Sequence, residues 1–220
     1  GRNCYRTRMV HIPLRLILDS DALVSNWHWL AHRGGGAACG AAVKADGYGL
    51  GAREAVKRLQ HAGCRGFFVA TWAEGEALMP WPGDLNLSVL HGLGPHDLDS
   101  ARRSPARPVL NTPEQVKSWR ATGRPCDVMV DTGINRLGLA AADVKAGLLD
   151  GLKIETLMSH LACADEDSAM NARQRETFVE LAPRVKAKRL SLANSAGVCL
   201  GPDYAFDLTR PGLALYGAIP

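Results

Sequence analysis

Eight short apolar runs, each followed by a longer helical stretch, are the feature that most limits what this chain can fold into. The runs lie near Cys39–Lys44, Phe67–Ala70, Leu87–Leu90, Val109–Leu110, Val128–Asp131, Thr156–His160, Leu190–Ala193 and Phe206–Arg210. They are short and continuous in hydrophobicity, as parallel strands covered on both faces are. Helical spacing predicts helices near Arg53–His61, Glu74–Met79, His96–Arg102, Pro113–Thr122, Asp143–Leu149 and Asn171–Val185, with a short one after Ser195. Strands that alternate with helices in this way predict an α/β fold, a (β/α)8 TIM-type barrel. A short apolar run, Leu14–Leu18, precedes possible caps at Asp19 and Ser20. Leu23, Trp27 and Leu30 then recur at helical spacing up to Gly34-Gly35-Gly36. That helix, Ala22–Arg33, can fill the position left without one after the eighth strand. The 220 residues suffice for such a core, with 14–220 as the barrel domain and 1–13 as a flexible basic tail.

In this fold the chemistry sits at the C-terminal ends of strands. Several chemically capable residues fall at those ends. Ala41-Ala42-Val43-Lys44-Ala45-Asp46-Gly47-Tyr48-Gly49-Leu50-Gly51 closes the first strand with one lysine and runs into a glycine-spaced loop carrying a tyrosine. Burial disfavours an ammonium, and enzymes use that cost to obtain an amine that forms Schiff bases. Glycines let backbone approach a ligand closely, and the helix start that follows can hold a phosphate. Together these parts suggest a lysine joined to a phosphate-bearing aldehyde cofactor, pyridoxal 5′-phosphate. The plainer alternative is a lysine that snorkels from a strand end. Further along come Asp131-Thr132-Gly133-Ile134-Asn135-Arg136-Leu137-Gly138 after strand five, His160 at the end of strand six, Asn194-Ser195-Ala196-Gly197 after strand seven and Arg210-Pro211-Gly212-Leu213-Ala214-Leu215-Tyr216-Gly217 at strand eight.

Each of these has an ordinary reading alone. Asp131-Thr132-Gly133 echoes an aspartic-protease triplet, but that chemistry needs a second triplet and an all-β setting. His160 can be an interior hydrogen-bonded histidine, and with Asp165 and Glu166 it lacks the spacing of a metal site. No metal is expected. Ser195 can cap the helix behind it, and Arg210 can be a plain surface residue.

Composition narrows the setting. The net charge is +4, and the small basic groups at Arg102-Arg103 and Lys186–Arg189 read as solvated helix faces, not as a nucleic-acid footprint. No apolar stretch is long enough to span a bilayer. The N-terminal residues are polar and basic, with no apolar core of a secretory signal. Six scattered cysteines without a Cys-x-x-Cys pair fit a reduced, cytoplasmic protein.

In combination and in order, the Val43–Gly51 motif and the four downstream motifs resemble the alanine racemases, from about Leu14 to the end. The resemblance implies a PLP-dependent isomerase that interconverts L-alanine and D-alanine and supplies D-alanine for peptidoglycan. It makes Lys44 the Schiff-base lysine and Tyr48 a ligand of the cofactor phosphate. Arg136 becomes the arginine that orients the phenolic oxygen and the substrate carboxylate, and His160 the imidazole beside the pyridine ring. Ser195, following Asn194, forms the phosphate cup with the backbone N–H groups of Gly212 and Leu213. Arg210 faces the pyridine nitrogen and, being donor-only, leaves it unprotonated.

Two departures accompany the resemblance. Where the family often has a carbamylated lysine that holds the arginine, this chain has Met129. The family also carries a C-terminal β domain that supplies a second catalytic tyrosine across a homodimer interface. None of Tyr5, Tyr48, Tyr204 and Tyr216 matches it. The expectation is therefore a barrel domain alone, with weak or no turnover. The main alternative is a non-catalytic, single-domain PLP-binding protein of the same barrel class, acting in cofactor homeostasis. A barrel amino-acid decarboxylase has less motif support.

Overall fold

The computed structural model describes residues 17–81 and 83–219. The expected tail 1–13, and most of the run Leu14–Leu18, lie outside them. The described strands are β1 (Ala38–Cys39), β2 (Ala41–Ala42), β3 (Gly66–Val69), β4 (Asn86–Val89), β5 (Arg107–Leu110), β6 (Pro125–Met129), β7 (Lys153–Met158), β8 (Ala187–Ser191) and β9 (Leu208–Thr209). Strands β2 to β8 pair in sequence order, all parallel, and β1 pairs with β9. β1 and β2 are one barrel strand interrupted at Gly40. The ring closes through Arg210 N–H to Ala193 O (2.9 Å), Asp207 N–H to Leu190 O (3.1 Å), Gly40 N–H to Thr209 O (2.9 Å) and Ala42 N–H to Pro211 O (2.8 Å). The expected barrel of eight parallel strands is the observed one.

The helices are α1 (Ser20–Arg33), α2 (Ala52–Ala62), α3 (Trp72–Ala77), α4 (Leu98–Arg103), α5 (Pro113–Arg120), α6 (Ala141–Lys145), α7 (Ala169–Leu181) and α8 (Ser195–Cys199). Asp19 caps α1 by accepting from the N–H groups of Asp21 and Ala22, and Gly34 ends it. α1 packs against α2, α8 and the 3₁₀ turn Leu213–Tyr216, which follows β9. It therefore occupies the eighth helix position, as expected. No described helix is long and apolar enough to cross a membrane.

Two apolar layers hold the barrel. Between sheet and helices lie Leu30, Leu59, Phe67, Trp119, Phe178 and Leu181, all nearly or fully buried. Each such side chain contributes about 1.5–3 kcal/mol of transfer free energy. Inside the ring, Ala42, Phe68, Val109, Met129, Met158 and Leu208 form a second, smaller cluster. Met129 is 5% exposed and belongs to this plug.

Beneath the plug the interior turns polar. Asp127 Oδ2 accepts from Ser88 Oγ (2.6 Å) and from Arg107 Nε (3.4 Å), and Arg107 Nη1 donates to Asn86 Oδ1 (2.9 Å). Arg189 Nη2 donates to Thr156 Oγ1 (3.3 Å). These inward polar residues explain why β5, β6 and β8 begin earlier than the apolar runs: the strand continues while its hydrophobicity does not.

Candidate active site

The strand ends open into one cavity of about 490 Å³, lined by Lys44, Tyr48, Arg136, His160, Asn194, Ser195, Arg210, Gly212 and Leu213 together with apolar residues. All nine residues singled out from the sequence meet there. Its Lys, Arg and Asp lining is Lys44, Arg136 and Arg210 against Asp165, so the site favours anions.

Lys44 is half-buried at the end of the first strand. The backbone after it is left-handed: Ala45, Asp46, Gly47, Tyr48 and Gly49 have φ of 51°, 51°, 62°, 56° and 86°. A residue with a Cβ costs roughly 1–2 kcal/mol in that region, and three of these carry one. Gly47 is required twice, for its positive φ and because a Cβ would lie 3.0 Å from the Ala52 nitrogen. The turn is held by Gly47 N–H to Val43 O and Gly49 N–H to Ala45 O (both 2.9 Å), and by Asp46 Oδ1 accepting from the Ala52 N–H (2.8 Å). Such strain persists only where the surroundings over-determine it, and it clusters at functional sites.

The turn delivers the Tyr48 ring to Gly212. A Cβ on Gly212 would collide with the Tyr48 hydroxyl, so glycine there makes room for the phenol. The Tyr216 ring lies 5.0 Å from that of Tyr48, and its hydroxyl donates to Ala42 O (3.3 Å). Burial pushes the Tyr216 hydroxyl above its ordinary value, and burial raises that of Tyr48 as well. Neither phenol ionises near neutrality.

Ser195 does not cap α8. Asn194 does, accepting from the Gly197 N–H at 2.8 Å. Ser195 Oγ instead accepts from the N–H groups of Gly212 (3.0 Å) and Ala214 (3.2 Å), which ties the strand-seven end to the strand-eight end. A hydroxyl and a set of backbone N–H groups thus converge beside the Tyr48 phenol.

Arg210 is not a surface residue; it is 6% exposed. Nη2 donates to Ser159 O at 2.6 Å and Nη1 to Ser191 Oγ. Burial pulls its pKa down to about 10, against which the opposite charge of Asp127 works, so it stays cationic at neutral pH. Two of five guanidinium N–H groups are engaged, which leaves donors for the cavity.

His160 is the reverse case. Burial, then Arg210, Arg136 and Lys44, lower it to about 3, so its ring is neutral. Its backbone carbonyl accepts from Gln174 Nε2 (3.0 Å), a residue buried at 1% exposure. The depressed value makes stability pH-dependent. In the unfolded chain the imidazole takes a proton near pH 6.5, whereas the folded ring refuses it until about pH 3. The contribution is fully present above pH 6.5 and is lost as pH falls towards 3. We expect the melting temperature to fall between pH 6.5 and 4.5, and His160→Gln to flatten that fall. Parallel melting curves for the two proteins would contradict the assignment.

Arg136 is exposed, and among the described residues it has no ion pair or hydrogen bond. Met129 offers it none. Asp131 is occupied locally, with its carboxylate accepting from the Gly133 N–H (2.8 Å) and the Asn135 N–H. That turn, not acid catalysis, is what Asp131-Thr132-Gly133 builds. Among the described residues no His, Cys, Asp and Glu group is arranged to hold a metal. Cys39, Cys64 and Cys126 are free and buried, and burial raises their thiols to about 11, 12 and 12.

Sequence reasoning missed Ser159 and Ser191, which hold Arg210, and Glu74, which touches the lysine turn. Glu74 Oε1 accepts from the Ala45 N–H (2.9 Å) and Oε2 from the Ala70 N–H (2.6 Å). A signal for it was present. Thr71-Trp72-Ala73-Glu74 spells a helix capping box, and Thr71 Oγ1 accepts from the Glu74 N–H at 3.3 Å.

The chain matches the family model described as alanine racemase, N-terminal domain, over residues 18–220. It is 43% identical over 216 residues to a biosynthetic alanine racemase of Agrobacterium fabrum, and 44% identical over 221 residues to an alanine racemase of Rhodospirillum rubrum. The alignments cover 93% of this chain but 55% and 59% of those relatives. Among solved structures, alanine racemase from Bartonella henselae, with covalently bound pyridoxal phosphate, superposes with a TM-score of 0.84 at 32% identity, covering 91% of this chain and 60% of that one. Alanine racemase from Streptomyces coelicolor A3(2) gives 0.82 at 30% identity, with 91% and 59% covered. The chain thus spans somewhat over half the length of the relatives it matches. Barrel, strand-end cavity and similarity agree: this chain belongs to the alanine racemase N-terminal domain family.

Proposed function

We propose that residues 14–220 are the cofactor-binding barrel of a cytoplasmic alanine racemase that interconverts L-alanine and D-alanine, the latter for peptidoglycan. The observation that carries this reading is the convergence of Lys44, Tyr48, His160, Ser195, Arg210 and Gly212 on one cavity. Its volume is within the range of small-molecule sites.

The residues present fit pyridoxal 5′-phosphate. The missing side chain at Gly212 lets the Tyr48 phenol in, and Tyr48 Oη, Ser195 Oγ and the Leu213 N–H are neutral groups suited to a phosphate. Neutral His160 offers a flat face for the ring. Bound there, the cofactor supplies an electron sink that acidifies the Cα–H of an attached amino acid.

The chain's own groups do the rest. Lys44 Nζ holds the cofactor aldehyde and, once released, takes or returns the Cα proton on one face. Arg210 would present only N–H donors to the pyridine nitrogen and no acceptor for a proton on it. It would thereby keep the sink weak and favour prompt return of the proton to Cα. Arg136 is available to a substrate carboxylate. We assign none of the described acids and bases to the face opposite Lys44. We assign that role to a group outside residues 17–219, contributed across a homodimer. Leu137, Leu213 and Ile219 are exposed at 38%, 53% and 95% around the cavity mouth, an apolar rim suited to such cover.

The test is exchange between D- and L-alanine with added cofactor, in residues 1–220 and in a form extended to the length of the relatives. The expected result is racemisation by the longer form and a rate ~10²–10⁴-fold lower in residues 1–220 alone. Robust racemisation by residues 1–220 would place the second base within them. No cofactor-dependent exchange in either form would sink the racemase reading and leave a cofactor-binding barrel.

A further inference from the structure

The left-handed turn behind Lys44 is uphill for Ala45, Asp46 and Tyr48, so something must hold it. Asp46 latches its far end to the start of α2. At the near end, the N–H of Ala45, the residue directly after Lys44, goes to a side chain on a different element, Glu74 of α3. The other oxygen of the same carboxylate takes the N–H of Ala70, just past the end of β3. One carboxylate therefore bolts the Lys44–Ala45 peptide to the neighbouring strand end.

We propose that Glu74 is the positioning residue for Lys44, acting through the left-handed turn without touching the cofactor. The proposal rests on the reading of Lys44 as the attachment point. Two features single out a carboxylate. It is acceptor-only and has two oxygens, one for each of two backbone donors. A carboxamide could serve one donor but would set its own NH₂ against the other. Aspartate is one methylene shorter and loses the reach. Without the bolt, Ala45 falls back to right-handed or extended backbone, and the Lys44 side chain is re-aimed.

The primary measurement needs no cofactor: backbone amide hydrogen exchange, residue by residue, in the chain and in Glu74→Gln. A hydrogen bond to a charged group is worth enough that exchange at Ala45, Gly47 and Gly49 should rise about tenfold or more. The core amides of Val89 and Leu157 should be unaffected. Glycine has no penalty in the left-handed region, so adding Ala45→Gly to Glu74→Gln should restore much of the protection. The second measurement is the rate at which pyridoxal 5′-phosphate, trapped with borohydride, labels Lys44. It should fall about tenfold in Glu74→Gln and recover with Ala45→Gly. Glu76→Gln, exposed on the same helix, should change neither. Unchanged exchange at Ala45–Gly49 in Glu74→Gln overturns the proposal, as does a uniform rise that includes the core. Failure of the unsubstituted chain to label at Lys44 would instead overturn the cofactor reading, with the exchange result still deciding whether Glu74 holds the turn.

Discussion

Lys44→Ala should abolish cofactor attachment and lower racemisation by at least ~10²–10⁴-fold in the longest active form. The change removes two things at once: the amine that holds the aldehyde and the base on one face of Cα. Lys44→Arg keeps the charge and most of the length but loses the nucleophilic amine, so it should fail equally. The fold should survive both changes. Lys44 is half-buried, and among the described residues its side chain makes no hydrogen bond, only an approach of Nζ to 6.0 Å from the Tyr48 ring. Racemisation that persists in Lys44→Ala would mean that another amine does the work.

The second large effect is expected at Arg210. Arg210→Glu would put an acceptor at the position proposed to face the pyridine nitrogen, so that nitrogen could hold a proton and the sink would become stronger. A long-wavelength absorption band should then build up with alanine, while racemisation falls ~10²–10³-fold, the usual cost of a misplaced electrostatic partner. Arg210 is also anchored to Ser159 and Ser191 inside the barrel, so folding must be checked by melting. Arg210→Gln, neutral and able to donate, provides the comparison: it should lose rate without the band. A spectrum unchanged in Arg210→Glu would count against the role.

The barrel was legible because its covered strands are apolar runs and its helices carry caps and periodicity. Asp19, Thr112 with Pro113, and the glycines after α1 punctuate as local chemistry requires. The strand starts were not legible. Arg107, Asp127 and Arg189 look like loop residues in sequence, yet they point into the barrel floor, where Asp127 Oδ2 meets Ser88 and Arg107, Arg107 meets Asn86 and Arg189 meets Thr156. Hydrophobicity cannot distinguish an inward polar layer from a surface turn.

The site divides in the same way. Residues proposed to carry chemistry, such as Lys44, His160 and Arg210, stood out because they end apolar runs. Residues that hold them did not. Ser159 and Ser191 use a carbonyl and a hydroxyl that any serine offers, and their partner lies 51 and 19 residues away. The left-handed conformation of Ala45 and Asp46 could not be read at all, since neither residue type favours it enough to signal it. Ser195 had two readings in sequence, and the cap reading falls because Asn194 is the cap while Ser195 Oγ accepts from Gly212 and Ala214.

The central claim is that Lys44, among all the lysines of this chain, holds the cofactor. The most direct measurement is to load the protein with pyridoxal 5′-phosphate, reduce it with borohydride, digest it and locate the modified peptide. The account predicts the label on Lys44, within Ala41–Gly51. Labelling at Lys57 or Lys117, with Lys44 untouched, would contradict it.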